Sequence, residues 1–513
     1  MSEYLNIVIP ASKILDEEYI GKEITKSIKT TFNTFDYRIL KKSLDARNKN
    51  LRYNLRLEYV LNGKLSEKEY SIKKNDVSDA SNIHIVGAGP AGYFAAIEAI
   101  ENGLRPIVLE RGKDVRSRRR DLKKIHQEHV VDDNSNYCFG EGGAGTYSDG
   151  KLYTRSKKRG NTLKVLEELV AFGAPDIILV EAHPHIGTNK LPKIITSIRE
   201  YIIACGGEVR FDSKVTDFII ENDRIKALVI NDNVKEEVSE VILATGHSAR
   251  DIFQLLYEKE ILLEAKNFAM GVRIEHSQQI IDKIQYHGSV NNEYLPPAAY
   301  SLVTQAKDRG VYSFCMCPGG IVAPCATGQE EVVTNGWSPS KRNNPYANSG
   351  IVVEVGMDDV DEEGPMALLN FQKKVERDCW EAAGKTQRVP AQRMVDFIEN
   401  RTSIDLPESS YQPGLVSVNL NEVLPKFICE NLKVAFKTFG KKMKGYLTND
   451  AILHAPESRT SSPIRIPRDD EMLNHPEILN LYPCGEGAGY AGGIVSAAVD
   501  GKRCVQAIIK SKA

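Results

Sequence analysis

The amino-acid sequence predicts an α/β protein built around a doubly wound, Rossmann-type domain whose two segments lie far apart in the chain. Residues 82–112 follow the order strand, glycine turn, helix, strand, and residues 483–501 return to a glycine-rich loop before a helix of small residues. The section between them differs in texture, with proline-rich loops. We therefore expect an inserted α+β domain there and a small β-α-β-β domain in front. The predicted divisions are 1–75, 76–265, 266–430 and 431–513.

The small N-terminal domain is predicted mainly from one regular alternation. Apolar and polar side chains alternate without a slip in residues 52–60, which indicates a half-buried strand. An apolar run at 5–9, a helical pattern at 16–28 and a short strand near 37–40 precede it. The polar residues 64–81 that follow are typical of a linker.

Composition excludes several classes of protein. The chain has 513 residues, a net charge of -2 and 42% hydrophobic residues, so no overall charge attracts nucleic acid or an anionic membrane. The first residues lack the pattern of a leader peptide, and no apolar stretch is long enough to span a membrane. We therefore expect a cytoplasmic protein.

Neither cysteine nor histidine spacing predicts a metal site. The nine cysteines are scattered and contain no C-x-x-C, which argues against a disulfide framework, a zinc site or a thioredoxin-type redox pair. Cys315 and Cys317, in C-M-C, are the only close pair, and inert buried thiols are the simpler interpretation. His183 and His185 have no third ligand nearby in the sequence.

One of three G-x-G-x-x-G matches has the context that a dinucleotide site requires. Gly87, Gly89 and Gly92 follow a predicted strand and open a predicted helix, and the next strand ends on Glu110. Gly87 permits the tight turn, Gly89 lets a pyrophosphate approach the backbone, and Gly92 lets the helix pack closely on the strand. The helix N-terminus would then hold the diphosphate, and Glu110 would accept hydrogen bonds from ribose hydroxyls.

These residues carry a resemblance to a known superfamily. GAGPAG at 87–92, a late ATG at 244–246 and a glycine-rich segment with an acid before the last helix together resemble the FAD-binding domain of glutathione-reductase-like flavoproteins. The resemblance covers roughly residues 82–265 and 430–513, and it implies a Rossmann-type FAD-binding domain with FAD as cofactor. Glu486 stands where that superfamily usually has an aspartate that binds the ribitol chain.

A closer resemblance is to a set of bacterial proteins known only as FAD-dependent dehydrogenases, also called NAD(FAD)-utilizing dehydrogenases. It rests on FGEGGAGTYSDGKL (139–152), HIGTNKL (185–191), TNGWSPSKRNNPYANSG (334–350) and HAPESRTSSPIRIPRD (454–469). The resemblance implies a cofactor more than a reaction, because no substrate is attached to that set.

The glycine turn and the resemblance together predict an FAD-binding set. In such folds the loop from Gly485 to Gly493 wraps the ribitol and the flavin edge, and the helix that begins at Ile494 points its N-terminus at the pyrimidine end. The predicted FAD-binding residues are Gly87, Gly89, Pro90, Ala91, Gly92, Glu110, Arg111, Gly142, Gly143, Ser148, Val215, Ala244, Thr245, Gly246, Gly485, Glu486, Gly492, Gly493 and Ile494.

The segment APESRTSSPIRI supplies candidates for the chemistry. Arg459 and Arg465 lie among hydroxyl side chains just before the flavin loop, which suits them to bind a substrate carboxylate or phosphate, unless they pair with carboxylates of the protein. His454 is a candidate proton donor or acceptor beside Arg459, with a satisfied loop histidine as the alternative. His454 and Arg459 are thus the predicted catalytic residues, and Arg459 and Arg465 the predicted substrate-binding residues.

The sequence as a whole favours an FAD-dependent dehydrogenase or reductase that transfers a hydride between flavin and a small organic substrate. No second βαβ unit is present, so NADH or NADPH could serve only as a transient donor. The alternatives are a single-component flavin monooxygenase, an RNA-modifying flavoprotein and an FAD-binding protein without turnover. RNA binding would use the basic run 111–124, but no aromatic residue there could stack on bases, so a nucleic-acid partner is not expected. Neither a membrane partner nor a particular oligomeric state is predicted.

Overall fold

The N-terminal elements form a small antiparallel sheet that a helix covers. The computed structural model describes residues 2–28, 35–154, 160–289 and 293–512. The first elements are β1 (Glu3–Pro10), α1 (Glu17–Ile28), β2 (Phe35–Asp45) and β3 (Arg52–Leu61), with strand order β1-β3-β2. The apolar face of β3 is buried with Ile20 and Ile24 of α1, in agreement with its alternation. The Tyr53 hydroxyl donates a hydrogen bond to the Tyr294 carbonyl at 2.9 Å, which joins this sheet to the inserted section.

The first segment of the nucleotide-binding domain alternates strands and helices. Its elements are β4 (Asn82–Val86), α2 (Pro90–Glu101), β5 (Arg105–Leu109), α3 (Val115–Glu128), α4 (Thr162–Ala171), α5 (Leu191–Ala204), β6 (Glu208–Arg210), β7 (Val215–Glu221), β8 (Arg224–Ile230), β9 (Val234–Glu237), β10 (Val241–Leu243) and α6 (Arg250–Glu258). Short 3-10 helices lie at Ala11–Lys13, Gly143–Gly145, Asp176–Leu179, Met357–Asp359 and Leu420–Glu422.

The inserted section and the second segment complete the chain. The inserted elements are β11 (Glu264–Ala265), β12 (Phe268–Ser277), α7 (Gln278–Gln285), β13 (Val303–Ala306), β14 (Arg309–Cys317), β15 (Ile321–Pro324), β16 (Thr334–Trp337), β17 (Tyr346–Val355), α8 (Ala367–Ala382), β18 (Val389–Arg393), α9 (Met394–Glu399), β19 (Leu415–Ser417), α10 (Lys426–Lys442) and β20 (Ile452–Glu457). The last elements are β21 (Ile464–Arg465), β22 (Leu481–Pro483) and α11 (Ile494–Lys512).

A five-stranded parallel sheet in the order β22-β10-β4-β5-β6 brings the two segments together. Ile83 and Ile85 of β4 face a core shared with α2, α4, α5 and α11. On the other face, Val86 joins a core formed with the antiparallel sheet β7-β8-β9 and with α6. The fold is therefore the predicted α/β class, with helices on one face of the sheet and a three-stranded sheet on the other.

A second sheet belongs to the inserted section and extends beyond the predicted boundary at residue 430. Its order is β13-β14-β17-β12-β20-β18-β19, with only β18 and β19 paired in parallel. The strand β20 pairs with β12 and β18, so residues 452–457 belong to this sheet and not to the FAD-binding segment. We retain the proposed division of the chain with this boundary moved past residue 457.

Within the described ranges, none of the helices combines the length and the apolar character needed to cross a membrane.

Candidate functional site

A cavity of 430 Å³ opens at the carboxyl ends of the parallel strands. Its lining includes Gly87 after β4, Glu110 after β5, Thr245 after β10 and Glu486 after β22. Ligands of open α/β sheets bind in the crevice outside these strand ends, so the fold alone predicts a ligand site in this cavity. The inserted section supplies the opposite wall through residues of β14 and β16.

The glycine turn between β4 and α2 has the geometry that a dinucleotide turn requires. Gly87 has φ of +108°, a conformation that residues with a side chain rarely adopt. A Cβ on Gly92 would lie 1.9 Å from the Gly87 carbonyl oxygen, so only glycine allows α2 to begin this close to the turn. A Cβ on Gly89 would instead meet no described atom within 4 Å, because Gly89 faces the cavity. The backbone of the turn is thus open to a ligand phosphate.

The buried Glu110 carboxylate links the glycine turn to the segment after β5 and to the glycine-rich stretch near Gly140. Its carboxylate accepts hydrogen bonds from the backbone N–H groups of Ala88, Gly112 and Gly140, each at 2.9 Å. The side chain is 5% exposed and lines the cavity. Glu110 therefore has a structural role that the sequence did not reveal, in addition to its predicted position beside the ribose.

The loop before α11 closes the other end of the cavity. Cβ atoms on Gly492 and Gly493 would meet no described atom within 4 Å, which leaves the backbone of this loop bordering open space. Burial raises the pKa of Glu486 to about 7, although a hydrogen bond from the Gly493 backbone and the charge of Lys266 oppose the shift. The first turn of α11 directs unpaired backbone N–H groups towards this end.

Most of the predicted FAD-binding residues line this one cavity. They are Gly87, Gly89, Pro90, Ala91, Glu110, Arg111, Gly143, Ser148, Val215, Ala244, Thr245, Gly246, Glu486, Gly492, Gly493 and Ile494. Three predicted residues lie behind the lining: Gly92 packs against Gly87, Gly142 donates its N–H to the Ala88 carbonyl, and Gly485 donates its N–H to Asp500. These three glycines shape the cavity wall, and their contact with FAD stays a prediction.

A buried arginine holds the glycine-rich stretch 136–143 in place. Arg118 of α3 is fully buried and donates to the backbone carbonyls of Asn136, Tyr137, Glu141 and Gly143 at 2.7 to 2.9 Å. Sequence analysis considered the basic run 111–124 for RNA binding and did not identify Arg118 as a buried residue. The available signal was its spacing of three residues from Val115 and four from Leu122, which places Arg118 on the buried side of the helix.

Arg459 lines the cavity, but the protein itself uses its hydrogen bonds. The guanidinium forms ion pairs with Glu331 at 2.5 Å and Glu376 at 3.0 Å, and it also donates to Thr327 and Ser248. With a further bond from Nε to Glu376, all five N–H groups have acceptors. The prediction that Arg459 acts catalytically and binds a substrate anion is therefore corrected: it pairs with buried carboxylates.

Unlike Arg459, His454 and Arg465 do not line the cavity. His454 is fully buried in β20, where Nδ1 is 3.1 Å from the Arg273 carbonyl and Nε2 is 2.9 Å from the Ser409 hydroxyl. Both ring nitrogens are satisfied, so its predicted catalytic role is corrected. The Arg465 side chain is 46% exposed and pairs with Glu264 at 3.6 Å, which does not support its predicted role in substrate binding.

A second, polar cavity of 580 Å³ adjoins the first. Arg111, Lys214, Val215 and Ile252 line both cavities, so the space at the carboxyl end of β5 continues outward past these residues. Arg111 is itself held by Asp251 at 2.8 Å and by stacking over the Phe139 ring.

In the described part of the chain, one group of side chains has the composition of a metal site, but an arginine satisfies its carboxylate. The Cys484 and Cys504 thiols and the Asp500 carboxylate lie within 4.8 Å of one another and are buried. Arg468 forms a two-point ion pair with Asp500 at 2.7 and 2.9 Å. The Asp500 carboxylate therefore already has a cationic partner within the protein.

Comparisons with known proteins place the chain in a family. Residues 267–460 match the family described as FAD-dependent protein, C-terminal domain-like, and residues 1–60 match a domain of unknown function (DUF8436). An uncharacterized protein of Clostridium beijerinckii is 40% identical over 493 residues, which are 92% of this chain and 92% of that protein.

More distant similarities are shorter or weaker. A digeranylgeranylglycerophospholipid reductase of Methanosarcina acetivorans is 27% identical over 155 residues, which are 29% of this chain and 33% of that protein. The crystal structure of CtdE in complex with FAD is 14% identical, covers 84% of this chain and 84% of that chain, and has a TM-score of 0.32.

The fold and the cavity define an FAD-binding protein with a Rossmann-type domain. The glycine turn fits a diphosphate, the acid after β5 is buried at the cavity, and the glycines before α11 leave backbone exposed to it. Together with the FAD-dependent family match, these features identify FAD as the cofactor. The chain belongs to the same family as the uncharacterized Clostridium beijerinckii protein, which it matches along nearly its whole length.

Proposed function

We propose that the protein is an FAD-dependent oxidoreductase, a dehydrogenase or reductase, that transfers a hydride between FAD and a small organic molecule. The observation that carries the proposal is the shape of the cavity. It extends past the predicted cofactor residues to a wall formed by the inserted section, including Phe314 of β14 and Asn335 and Trp337 of β16. A cavity that only stored a cofactor would not need this second wall.

Different residues of the chain would bind different parts of the cofactor. The turn at Gly89 and the N-terminus of α2 would bind the diphosphate, Glu110 would contact the ribose, and the loop at Gly492 would lie against the ring system. FAD, when bound, supplies the capacity to accept or donate a hydride. The N-terminus of α11 would stabilise the negative charge that the pyrimidine end gains on reduction.

The inserted section would position the substrate and limit the access of water. Aromatic side chains from two loops, Tyr137 and Tyr153, join Phe314 and Trp337 around the chamber, and the Asn335 amide offers both a donor and an acceptor. This mixture favours a small, partly apolar organic substrate. The name of the Methanosarcina acetivorans reductase supports the same class of reaction.

The first experiment is an absorbance spectrum of the purified protein, with anaerobic additions of NADH and NADPH followed by air. We expect flavin bands that a nicotinamide bleaches and oxygen restores, or bands that a panel of small organic donors bleaches instead. Bands that only a chemical reductant bleaches would contradict the proposal and identify an FAD-binding protein without turnover. Oxygen incorporated into an organic product would instead identify a monooxygenase.

A pair of glycine variants provides the control. A side chain at Gly89 enters the cavity without striking the described protein, so Gly89→Val should fold normally and carry no flavin. Gly63→Val places the same change in the exposed segment after β3 and should keep the flavin bands unchanged. Nicotinamide oxidation that persists in Gly89→Val would come from a contaminant.

A further inference from the structure

Lys151 contacts two cysteine sulfurs at the cavity wall. Its Nζ lies 3.5 Å from Sγ of Cys315 and 3.4 Å from Sγ of Cys317, both on β14. The Asp149 carboxylate lies 3.7 Å from the same ammonium group. The Lys151 ammonium group therefore contacts both sulfurs and also forms an ion pair with Asp149.

The backbone of β14 directs the two cysteines to different environments. Its pairing with β17 passes from Phe314 opposite Gly350 to Cys317 opposite Asn348, so Cys315 and Met316 together oppose a single residue. Cys315 has φ of +46°, which is uncommon for a residue with a side chain. Such bulges re-aim side chains and recur beside active sites. As a result Cys315 lines the cavity, whereas Cys317 is fully buried behind it.

The two sulfurs are also electrostatically distinct. The Cys317 sulfur lies 3.2 Å from the Cys315 carbonyl oxygen, an acceptor within reach of its S–H group. A hydrogen bond from Cys317 and the charge of Lys151 hold the pKa of Cys315 well below its usual range, while the same contact with Cys315 raises the pKa of Cys317. A cysteine with a lowered pKa therefore faces the cavity and a thiol with a raised pKa lies next to it, the combination that thiol–disulfide chemistry uses.

Cys315 also lines the same cavity as the loop that is predicted to border the flavin ring. Cys315 shares the cavity lining with Gly492, Gly493 and Ile494, and its negative charge is close enough to raise the pKa of Glu486. Lys151 follows the glycine-rich stretch, so the loop that borders the cofactor also supplies the ammonium group. The cavity wall at Cys315 therefore combines a pair of sulfurs, the Lys151 ammonium group and a strand bulge.

We propose that Cys315 and Cys317 form a redox-active pair that exchanges two electrons with FAD, with Lys151 as the residue that stabilises the Cys315 thiolate. In the oxidising direction one S–S bond forms, the S–H bond of Cys317 breaks, and two electrons with that proton pass to FAD. The reverse transfer reduces the disulfide to a thiolate and a thiol. The proposal rests on the proposed function only in that FAD must be bound.

The test counts electrons in the air-oxidised holoprotein by anaerobic titration with dithionite. A flavin and a disulfide each take two electrons, so we expect four electrons per FAD in the wild type. Cys315→Ser and Cys317→Ser should each take two electrons per FAD. Cys429→Ser is the matched control, because Cys429 is a buried thiol of α10 away from the cavity, and it should take four.

Uptake of two electrons by wild-type protein with bound flavin would overturn the redox pair and leave the proposed function intact. A wild-type preparation that binds no flavin would contradict the proposed function instead. Mass spectrometry of the peptide that contains both cysteines gives a second reading that does not depend on the variants. After exposure to air it should resist alkylation unless a reductant is added first, and alkylation of both thiols without reductant would contradict the proposal.

The role of Lys151 has its own readout in flavin-free protein. Lys151→Met should shift the pH dependence of iodoacetamide reaction at Cys315 to higher pH by at least one unit, because the thiolate loses its cation. Lys193→Met, on the exposed side of α5, should leave the profile in place. Identical profiles for Lys151→Met and the wild type would overturn the assignment of Lys151.

Discussion

Glu486 is a half-buried acid at the cavity, and its pKa makes the stability of the flavin-free protein depend on pH. Its carboxyl is placed at the cavity by the loop after β22, with Lys266 as the nearest opposing charge. Burial raises its pKa to about 7, so the folded protein without FAD holds a proton there that the unfolded chain releases at lower pH. The flavin-free protein is therefore least stable at alkaline pH, where this carboxyl group must ionise in the cavity.

The pH dependence of stability follows from this shift. Because the folded pKa is raised above the unfolded value of 4.5, stability should fall as pH rises from there through about 7. Glu486→Gln removes the titration and should stabilise flavin-free protein at pH 8 by on the order of 2 kcal/mol, with little effect at pH 5. Thermal unfolding across this range measures the difference. Parallel curves for wild type and Glu486→Gln would contradict it, and the exposed Glu363→Gln serves as control.

Single residues were predictable where the backbone dictated them and not where distant segments met. Gly87 and Gly92 could be assigned because the turn they form is local. Lys151 and Cys315 are 164 positions apart, and no periodicity connects them. His454 was chosen for its closeness to Arg459 in sequence, but strand pairing places it between β12 and β18, where both ring nitrogens are satisfied.

The close pair of helices α2 and α11 is the element on which the cofactor site depends. A Cβ on Gly501 would lie 2.0 Å from the Ala91 carbonyl oxygen, so the two helix backbones touch where α2 begins. Lys502 adds buried ion pairs to Glu98 of α2 at 3.0 Å and to Glu168 of α4 at 2.7 Å. This contact sets the distance between the diphosphate end and the flavin end of the cavity.

Gly501→Ala tests this contact. The added methyl group must push α11 away from α2, so we expect a loss of about 1–3 kcal/mol in the free energy of unfolding. FAD affinity should fall at least tenfold, because both helix N-termini border the cavity. Denaturant unfolding and fluorescence titration with FAD measure the two effects. Gly63→Ala, in an open position, is the control, and unchanged FAD affinity in Gly501→Ala would contradict the expectation.

Some helices and strands could be predicted from local sequence patterns, and others could not. The glycine turn, α2 and the alternating strand β3 have strong local patterns. The strand β20 has none, because all six of its residues are buried and no alternation marks it. For that reason the boundary of the inserted section was predicted too early in the chain.

At the scale of the whole molecule, the described residues of the N-terminal sheet take no part in lining the flavin cavity. Residues 62–81, all of which the structure describes, contain no helix or strand. Of the described residues before 76, none lines the cavity. The sheet nevertheless contacts the rest of the molecule, through Tyr53 at the inserted section and through backbone hydrogen bonds between Lys42 and the segment 180–182.

A cut in the linker should therefore leave the cofactor in place. We expect that a site for a specific protease, inserted between Lys68 and Glu69, is cleaved to completion in the folded protein because both residues are exposed. The larger fragment should keep all of its flavin, and the two fragments should elute together because their contacts do not require the linker. Release of flavin on cleavage would show that the N-terminal sheet supports the cavity after all.

The five-stranded sheet has a consequence for the timing of biosynthesis. Its central strand β4 is made early, but the neighbour of β10 on the far edge is β22, and the wall of the cavity is completed only at residues 484–497. Residues 484–497 must therefore be synthesised before the cofactor cavity is complete. Bound flavin then marks a polypeptide whose synthesis has run past this point, and chains released earlier would remain colourless.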